Sequence, residues 1–504
     1  MNCVLGIDLG TSAVKILLIN QTGEVVREVS KSYPLLHSKP GWSEQDPEEW
    51  VQKTLEGISE ITADFKGQVS EIKGMSFSGQ MHGLVLLGEN NEVLRNAILW
   101  NDVRTTSQCR KIEEKVGKEK LLDITKNPAL EGFTLPKLLW VKENETELYE
   151  QAHKFVLPKD YLRYRLTNQL HAEYSDAAGT LLLDIAKKEW SSEIAQIMEI
   201  DLSLCPDLVE SEALVGTITE ETAKLTGLAG STKVFAGGAD NACGAIGAGI
   251  LKDGLTMCSI GTSGVVLSYE ASSDKEFDGK VHYFNHGKEN SYYTMGVTLS
   301  AGHSLTWFRE TFAVDHSFDE LLEEAKTVPP GANGLLFTPY LSGERTPHAD
   351  ADIRASFIGM STSHQQKDFT RSVLEGITFS LNESIEIFRS EGKKIDKIIS
   401  IGGAAKSPVW LQMQADIFDA EVIRLSSEQG PGMGAAMLAA LGCGWFQSLE
   451  DCAEEFLQES AVYQPVTEHA AQYKEIFSIY QKVYDQTRDL NKALASLRSA
   501  GTSS

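Results

Sequence analysis

The chain has 504 residues, which is too long for a single hydrophobic core. Its residues are 42% hydrophobic and 23% charged, a composition typical of an ordinary globular protein. Its formal net charge of −25 argues against nucleic acid or an anionic membrane as a partner, because the exterior would repel both. The seven cysteines form no CxxC pair, so we expect a reduced protein without zinc or iron–sulfur sites. No apolar run is long enough to span a membrane, and the hydrophobic core of a signal peptide does not fit before the first strand, so we expect a cytoplasmic protein.

The first predicted element is a strand hairpin between residues 4 and 20. An apolar run over residues 4–7 stops at Asp8, a short loop contains Gly10, Thr11 and Ser12, and a second apolar run follows. Such a turn presents backbone N–H and hydroxyl donors to one point, which suits a polyphosphate, and Asp8 could hold a magnesium ion through water. An ordinary structural hairpin is the alternative for this loop alone.

Residues 46–104 predict a helix capped by Asp46 and then two polar loops, each at the end of a strand. The first loop contains Gln80 and His82, and the second, after a strand that ends at Trp100, contains Asn101, Asp102 and Arg104. Such donors and acceptors, beside a methionine or aromatic wall, suit a polyhydroxylated ligand. Taken singly, these residues are better explained as a histidine satisfied within the fold and an Asn-Asp turn. Residues 111–232 then predict a helix-rich lid or peripheral subdomain, in which Asp176 is expected to cap a helix.

Residues 234–250 predict a strand that ends in two glycines and a helix of small residues, with Asp240 and Asn241 at the helix start. The small residues allow close backbone packing, as in a hinge between domains, although they weaken the helix itself. Asp240 is either the N-cap of this helix or a general base that accepts the proton of a substrate hydroxyl. Because an unshifted Asp has a pKa of about 3.9, we expect a feeble base and late proton transfer.

The second half repeats the opening pattern. Residues 255–269 read as a strand, a Gly261-Thr262-Ser263 loop and a strand, and this self-similarity predicts a duplicated fold with two phosphate-binding loops facing each other. Two unrelated hairpins are the alternative. Gly302 is predicted to open a helix whose N-terminus could approach phosphate or ribose. Residues 397–425 predict a βαβ unit with Gly402 and Gly403 at its first strand end and Ser407 as a helix cap.

The stretches DLGTSAVK (8–15), SGQMHG (78–83), ILWNDVR (98–104) and GGADN (237–241) together resemble the FGGY family of carbohydrate kinases, and the resemblance covers nearly the entire chain. It implies an α/β fold of two ribonuclease-H-like domains, the actin and sugar kinase superfold, with a cleft between them. The expected domains are residues 1–246, which bind the sugar, and residues 247–504, which bind the nucleotide. The resemblance also implies ATP as co-substrate and Mg²⁺ as cofactor.

By this resemblance the catalytic residues are Asp240, as base, and Asp8, which also organises the metal. The residues expected to contact the sugar are Gln80, Met81, His82, Trp100, Asp102, Asp240 and Asn241. The residues expected to bind ATP are Thr11, Ser12, Lys15, Gly261, Thr262, Ser263, Gly302, Gly402, Gly403, Ala404 and Ser407.

Met81-His82-Gly83 resembles the loop of family members that act on xylulose, so we expect ATP-dependent phosphorylation of D-xylulose to the 5-phosphate. A sister kinase for ribulose, gluconate or glycerol is the first alternative. A non-catalytic, actin-like nucleotide-dependent scaffold is the second, and the acids at both positions 8 and 240 argue against it. The expected partners are the sugar and ATP; the oligomeric state stays open, with a homodimer as one option.

Overall fold

The computed structural model describes residues 2–427 and 429–501, with side chains described up to residue 497. The strands of the first half are β1 (Cys3–Leu9), β2 (Ala13–Asn20), β3 (Val25–Ser32), β4 (Glu44–Gln45), β5 (Ile72–Gly79), β6 (Val85–Leu87), β7 (Ala97–Ile98), β8 (Lys154–Val156), β9 (Ala172–Glu173), β10 (Leu183–Asp184), β11 (Glu189–Trp190), β12 (Leu208–Val209), β13 (Leu214–Thr217), β14 (Lys233–Phe235) and β15 (Gly238–Ala239). The helices of the first half are α1 (Pro47–Asp64), α2 (Thr106–Val116), α3 (Lys118–Thr125), α4 (Thr134–Asn144), α5 (Thr146–Gln151), α6 (Pro158–Thr167), α7 (Tyr174–Ala177), α8 (Ser192–Met198), α9 (Glu220–Thr226) and α10 (Asp240–Gly247).

The strands of the second half are β16 (Leu255–Ile260), β17 (Gly264–Glu270), β18 (His282–Asn285), β19 (Tyr292–Thr298), β20 (Leu336–Thr338), β21 (Ser356–Ile358), β22 (Lys397–Gly402), β23 (Glu421–Leu425) and β24 (Glu459–Tyr463). Its helices are α11 (Gly302–Phe312), α12 (Phe318–Lys326), α13 (Gln366–Ser390), α14 (Pro408–Phe418), α15 (Pro431–Gly442), α16 (Leu449–Phe456) and α17 (Thr467–Gly501). Short 3₁₀ helices lie at Val69–Glu71, Ala178–Thr180, Leu202–Leu204, Ala332–Gly334 and Gly403–Lys406.

The two large sheets are built on the same plan. The first has the strand order β13-β14-β5-β1-β2-β3, with β15 also paired to β5, and the second has the order β18-β19-β17-β16-β22-β23-β24. In each sheet an antiparallel hairpin, β1–β2 or β16–β17, lies beside a later strand that runs parallel to the first strand of the hairpin, β5 or β22. This repeated topology confirms the predicted duplicated α/β fold.

The opening hairpin extends further than its apolar pattern indicates. β1 continues through Asp8 to Leu9, and Asp8 pairs with Lys15 across the hairpin. Only Gly10, Thr11 and Ser12 form the turn. Asp8 is therefore held by a strand on each side of β1 rather than by a loop, which fixes its direction.

The region predicted as a peripheral lid is part of the main core, so that prediction is wrong. Apolar side chains of α2, α4 and α8 belong to one hydrophobic cluster with side chains of the second sheet. Asn127 Nδ2 donates to the Tyr283 carbonyl oxygen at 2.7 Å, and Asn285 Nδ2 donates to the Ile185 carbonyl oxygen at 3.2 Å. β13, near the end of the region, extends the first sheet. The apolar faces of these helices are visible in the sequence, but their packing partners are not.

Two helices of small residues cross where the halves meet. A Cβ atom added at Gly434 of α15 would lie 1.9 Å from the Cys243 carbonyl oxygen of α10, and one added at Gly6 of β1 would lie 2.1 Å from the Gly432 carbonyl oxygen. Although α15 belongs to the second half, it packs on β1 and β5 of the first sheet. The expected close packing is therefore present, while a domain boundary at residues 246 and 247 stays a prediction.

Candidate active site

Two carboxylates reach the same edge of the first sheet from strands on either side of β5. β1 is parallel to β5 with Asp8 opposite Ser78, and β15 is parallel to β5 on its other side with Gly238 opposite the same Ser78. Asp240 follows two residues later as the first residue of α10. Ligands of open α/β sheets bind at this carboxyl edge of the strands. The structure thus brings together the two residues predicted to be catalytic.

Asp240 is not the N-cap of α10, because Ala239 takes that position. Asp240 Oδ1 instead accepts hydrogen bonds from the backbone N of Asn241 at 2.7 Å and from its Nδ2 at 2.9 Å. Burial and the charge of Asp8 raise the pKa of Asp240 to about 7, and the two Asn241 donors lower it in part. The expectation of a feeble, unshifted base is therefore corrected. Asp240 keeps accessible surface, which a group that meets a substrate requires.

His82 lies in the loop that follows β5, next to Met81, and has a left-handed backbone at φ 68°. Its Nδ1 lies 2.6 Å from the Gly179 carbonyl oxygen, so Nδ1 carries the proton and Nε2 remains an acceptor. Burial lowers the pKa of His82 to about 3, so the ring is neutral at physiological pH. Lys137 Nζ and Thr134 Oγ1 hold the loop by donating to the His82 carbonyl oxygen at 2.9 and 3.0 Å.

Met81 connects this loop to α10. Its sulfur accepts a hydrogen bond from Asn241 Nδ2 at 3.6 Å, and the side chain is buried. Gln80 is also buried, with Nε2 at 3.2 Å from Gln45 Oε1. Trp100 is 39% exposed, and its Nε1 donates to the Thr11 hydroxyl at 3.0 Å, so it adjoins the first Gly-Thr-Ser turn. Their contacts with a sugar stay predictions.

Asp102 does not fit its predicted contact with the substrate. Its Oδ2 accepts from the backbone N of Ser43 and from Arg104 Nη2, each at 2.6 Å. Its Oδ1 accepts from the backbone N of Arg104 at 3.0 Å and from Nε at 2.9 Å. These four bonds use the whole acceptor capacity of a carboxylate, and the side chain has no accessible surface. Asp102 therefore positions Arg104 and the loop rather than a ligand.

Asp176 is not a helix cap, contrary to expectation. Glu173 precedes α7 and accepts hydrogen bonds from the backbone N atoms of Ser175 and Asp176, each at 2.8 Å. Asp176 lies within α7 and is completely buried. Glutamate is an uncommon cap, so the sequence favoured the shorter acid.

A cavity of about 570 Å³ opens beside the second Gly-Thr-Ser turn. The residues predicted to bind ATP that line it are Gly261, Thr262, Gly302, Gly403, Ala404 and Ser407. A Cβ atom at Gly302 would lie 2.4 Å from the Gly261 carbonyl oxygen, so the start of α11 can contact this turn only with glycine there. Ser407 caps α14 through a bond from the Trp410 backbone N at 3.3 Å, as predicted.

The sequence missed the apolar walls of this cavity. Leu305, Phe318, Leu322 and Trp410 line it, and two of them lie on α12. These side chains suit a flat, partly apolar ligand such as an adenine ring. The sequence of α12 shows only the capping box of an ordinary amphipathic helix, which gives no indication of a ligand.

A smaller cavity of about 310 Å³ lies between the halves, lined by Asp8, Lys15 and Gly402 among others. Lys15 Nζ donates to Gln429 Oε1 at 2.7 Å and lies 3.2 Å from Glu28 Oε1, so it connects the first half to the second. Gly402 has φ 84°, and a Cβ there would lie 2.6 Å from the Ile260 carbonyl oxygen. Lys15 and Gly402 thus adjoin the gap between the halves, not the larger cavity. Ser12 and Ser263 are exposed at the tips of the two turns.

Comparisons with known proteins agree with this arrangement. The sequence model of the N-terminal domain of the FGGY family of carbohydrate kinases matches residues 3–247, and that of the C-terminal domain matches residues 256–443. The chain is 59% identical to the xylulose kinase of Bacillus subtilis (strain 168) over 498 residues, which are 99% of this chain and 100% of that protein.

Two solved structures from Lactobacillus acidophilus have a similar fold. A ligand-bound xylulose kinase has a TM-score of 0.92 at 30% identity and covers 97% of this chain and 99% of its own. A gluconate kinase has a TM-score of 0.92 at 30% identity; the match covers 96% of this chain and 98% of the gluconate kinase. In the part of the chain described here, no helix has the length and hydropathy to cross a bilayer. The paired sheets, the two Gly-Thr-Ser turns and these matches identify the chain as a member of the FGGY family of carbohydrate kinases.

Proposed function

We propose that the chain transfers the γ-phosphoryl group of ATP to the 5-hydroxyl of D-xylulose, giving D-xylulose 5-phosphate and ADP. The observation that carries this proposal is the position of Asp240 and Asp8 at one sheet edge, beside the loop that contains Met81 and His82. The name of the Bacillus subtilis relative supports xylulose as the sugar. ATP as co-substrate follows from membership of the kinase family.

In the proposed reaction the sugar oxygen forms a bond to the γ-phosphorus as the bond from that phosphorus to ADP breaks. Asp240 accepts the proton of the hydroxyl. A carboxylate with a pKa near 7 remains a much weaker base than an alkoxide, so the transfer accompanies phosphoryl transfer rather than preceding it. Most of the rate enhancement then comes from alignment of the groups and from stabilisation of charge.

The proposed roles of the turns follow from their exposure. Thr11 and Ser12 would hold phosphate oxygens from the first sheet, and Thr262 and Ser263 from the second, since both turns offer backbone N–H groups and hydroxyls. Gly302, Gly403, Ala404 and Ser407 would surround the adenosine in the larger cavity. Closure of the gap would exclude water, a competing acceptor.

Asp8 fits a magnesium ion held through water. Its carboxylate lines the smaller cavity and keeps accessible surface, and burial raises its pKa, whereas Ser78 and Lys15 lower it. A nearby cation would favour the ionised carboxylate, and oxygen ligands with retained water suit Mg²⁺. The ion would neutralise phosphate charge during transfer. The cytoplasmic location and the homodimer stay predictions; light scattering on the purified protein tests the dimer.

A coupled ADP assay with a panel of sugars tests the proposal. We expect the highest kcat/KM with D-xylulose, compared with D-ribulose, D-gluconate and glycerol. Gluconate is the most informative alternative substrate, because a gluconate kinase and a xylulose kinase have the same TM-score of 0.92 to this chain. Clear turnover of another panel member without turnover of xylulose would assign a sister kinase. ATP consumption that needs no sugar, or none at all, would contradict a kinase role.

A further inference from the structure

A completely buried group of charged side chains lies behind the start of α10; we call it the Lys159 cluster, and it consists of Lys159, Asp160, Arg163, Glu173 and Asp176. Lys159 Nζ lies 2.7 Å from Asp160 Oδ1 and 3.4 Å from both Glu173 Oε1 and Asp176 Oδ2. Arg163 Nη1 donates to Asp160 Oδ1 at 2.9 Å. The cluster therefore has two cations and three carboxyl groups.

The charges of the cluster do not balance if every carboxyl group is ionised. An uncompensated charge in a dry interior is very costly, so the cluster is expected to keep one proton. Asp160 accepts from both cations, and Glu173 accepts from Ser175 and from Ser211 Oγ, the latter at 3.0 Å. Neither carboxyl oxygen of Asp176 accepts a hydrogen bond from the residues that the structure describes, and Lys159 Nζ approaches Oδ2 only to 3.4 Å. Asp176 is thus the carboxyl group least able to remain ionised.

Segment 173–180, which contains Asp176, contacts both parts of the candidate active site. Ser175 Oγ accepts a hydrogen bond from the Ala239 backbone N, immediately before Asp240, at 2.9 Å. The Gly179 carbonyl oxygen accepts from His82 Nδ1 at 2.6 Å. The segment therefore connects the start of α10, where the proposed base Asp240 lies, to the loop that contains Met81 and His82, which we call the sugar loop. Asp176 lies between these two contacts in the sequence.

We propose that Asp176 is a positioning residue for phosphoryl transfer, held as the neutral acid of the Lys159 cluster so that no second buried negative charge opposes the ionisation of Asp240, the carboxyl group that faces the substrate. The difference in partners supports this assignment, because Asp240 accepts two N–H donors from Asn241 and Asp176 accepts none. When two nearby carboxyl groups share one proton, it resides on the group whose ionised form is less stabilised. The inference rests on the proposed role of Asp240 as base.

On balance, the surroundings of Asp176 favour its neutral form. Burial and the charges of Asp160, Glu173 and Asp240 raise the pKa of Asp176 well above its usual value, and only Lys159 opposes them. Arg163 adds a second cation on α6, and it lies against Asp160. Tyr293 of β19 and Cys243 of α10 face the same region, and burial raises the pKa of both well above its usual value, so both are neutral.

The substitution Asp176→Asn makes the neutral state permanent, and its effect on stability tests the proton count without any turnover. An unfolded Asp releases its proton above a pH of about 4, whereas folded Asp176 keeps it. The wild type therefore loses stability relative to Asp176→Asn as pH rises, by about tenfold in the unfolding constant per pH unit. We expect the difference in Tm between Asp176→Asn and wild type, measured from pH 5 to pH 7, to move steadily in favour of the variant.

Asp160→Asn is the matched control, because it makes the same chemical change in the same cluster. It removes the carboxylate that pairs with Lys159 and Arg163, so its Tm at pH 7 should fall well below that of Asp176→Asn. An infrared difference spectrum between wild type and Asp176→Asn should show the carbonyl band of one protonated carboxyl group. A constant Tm difference from pH 5 to pH 7, or the absence of this band, would overturn the assignment.

The pH profile of turnover tests the positioning role itself. Asp176→Asn should keep kcat at pH 7 within about threefold of wild type. At alkaline pH the wild type should lose kcat as Asp176 ionises, because a second negative charge then opposes charge development beside Asp240, and the variant should resist this loss. A fall in kcat of more than about a hundredfold at pH 7 with unchanged Tm would mean that the ionised form is needed. Failure of the sugar assay above would leave the stability result intact, so the two proposals fail separately.

Discussion

At the level of single residues, the Asn241 donors and the Asp8 charge act on the Asp240 carboxylate in opposite directions. The donors favour its ionised form, while burial and Asp8 favour the protonated form more strongly and bring the pKa to about 7. Asp240 is therefore expected to exchange its proton near neutral pH. Asp102 differs from Asp240, because its carboxylate oxygens accept four hydrogen bonds from Ser43 and Arg104 and have no acceptor capacity left for a ligand.

Asp240→Asn should abolish most turnover while leaving both ligands bound. The amide has nearly the same shape but cannot accept the hydroxyl proton, so kcat should fall at least about a hundredfold. Isothermal titration checks binding and the coupled ADP assay checks kcat. Asp315→Asn, which removes an exposed carboxylate, is the control and should turn over normally. Near-normal kcat in Asp240→Asn would remove this residue from the role of base.

The acid limb of kcat/KM should report the pKa of Asp240 in the free enzyme. Since only the ionised carboxylate accepts a proton, kcat/KM for the sugar should fall below pH 7 and approach a tenfold loss per pH unit. His82 does not titrate in this range, because burial lowers its pKa to about 3. His82→Asn should therefore raise KM for the sugar but keep the same midpoint. A shift of this midpoint in His82→Asn would contradict the assignment of the titration to Asp240.

At the level of elements, the crossing of α10 and α15 determines how closely the halves approach each other. The backbones touch because glycines stand at the contact points, and Gly434 lies against the Cys243 carbonyl oxygen. Asp240 begins α10, so any shift of this helix moves the proposed base relative to Asp8 and the sugar loop. The low intrinsic stability of a helix rich in glycine is offset here by packing that larger residues would prevent.

Gly434→Ala should destabilise the protein although alanine is the better helix former. The new Cβ would lie 1.9 Å from a backbone oxygen that cannot move alone, so the overpacking cost of about 1–3 kcal/mol or more should exceed the gain of about 1 kcal/mol in helix propensity. Thermal unfolding should show a lower Tm. Gly230→Ala is the matched control, because a Cβ there meets nothing within 4 Å. An unchanged Tm in Gly434→Ala would mean that the helices can separate without cost.

At the level of the whole molecule, periodicity and turn chemistry were enough to predict the duplicated hairpins, the βαβ unit and the cap at Ser407, since each depends on neighbouring residues. Contacts between distant segments were not predictable in this way. Nothing local to residues 431–442 indicates packing on β1, nothing in α12 indicates a ligand wall, and the partners of Asp102 include Ser43, far away in the sequence. The residues alone left Asp8 and Asp240 with a structural and a functional interpretation each, and the family resemblance favoured the functional one. Their shared sheet edge is visible only in the strand register of the structure.

The return of α15 to the first sheet has a consequence for synthesis of the chain. A ribosome produces β1, β2 and β5 early, but the face formed by Val4, Leu17 and Ile19 is covered only after residues 431–442 have emerged. Domains usually fold as they leave the exit tunnel, N-terminal first. The nascent first half therefore exposes an apolar surface until residues 431–442 have been synthesised. A protein truncated near its middle would keep this surface exposed, and we expect it to be bound by chaperones or degraded.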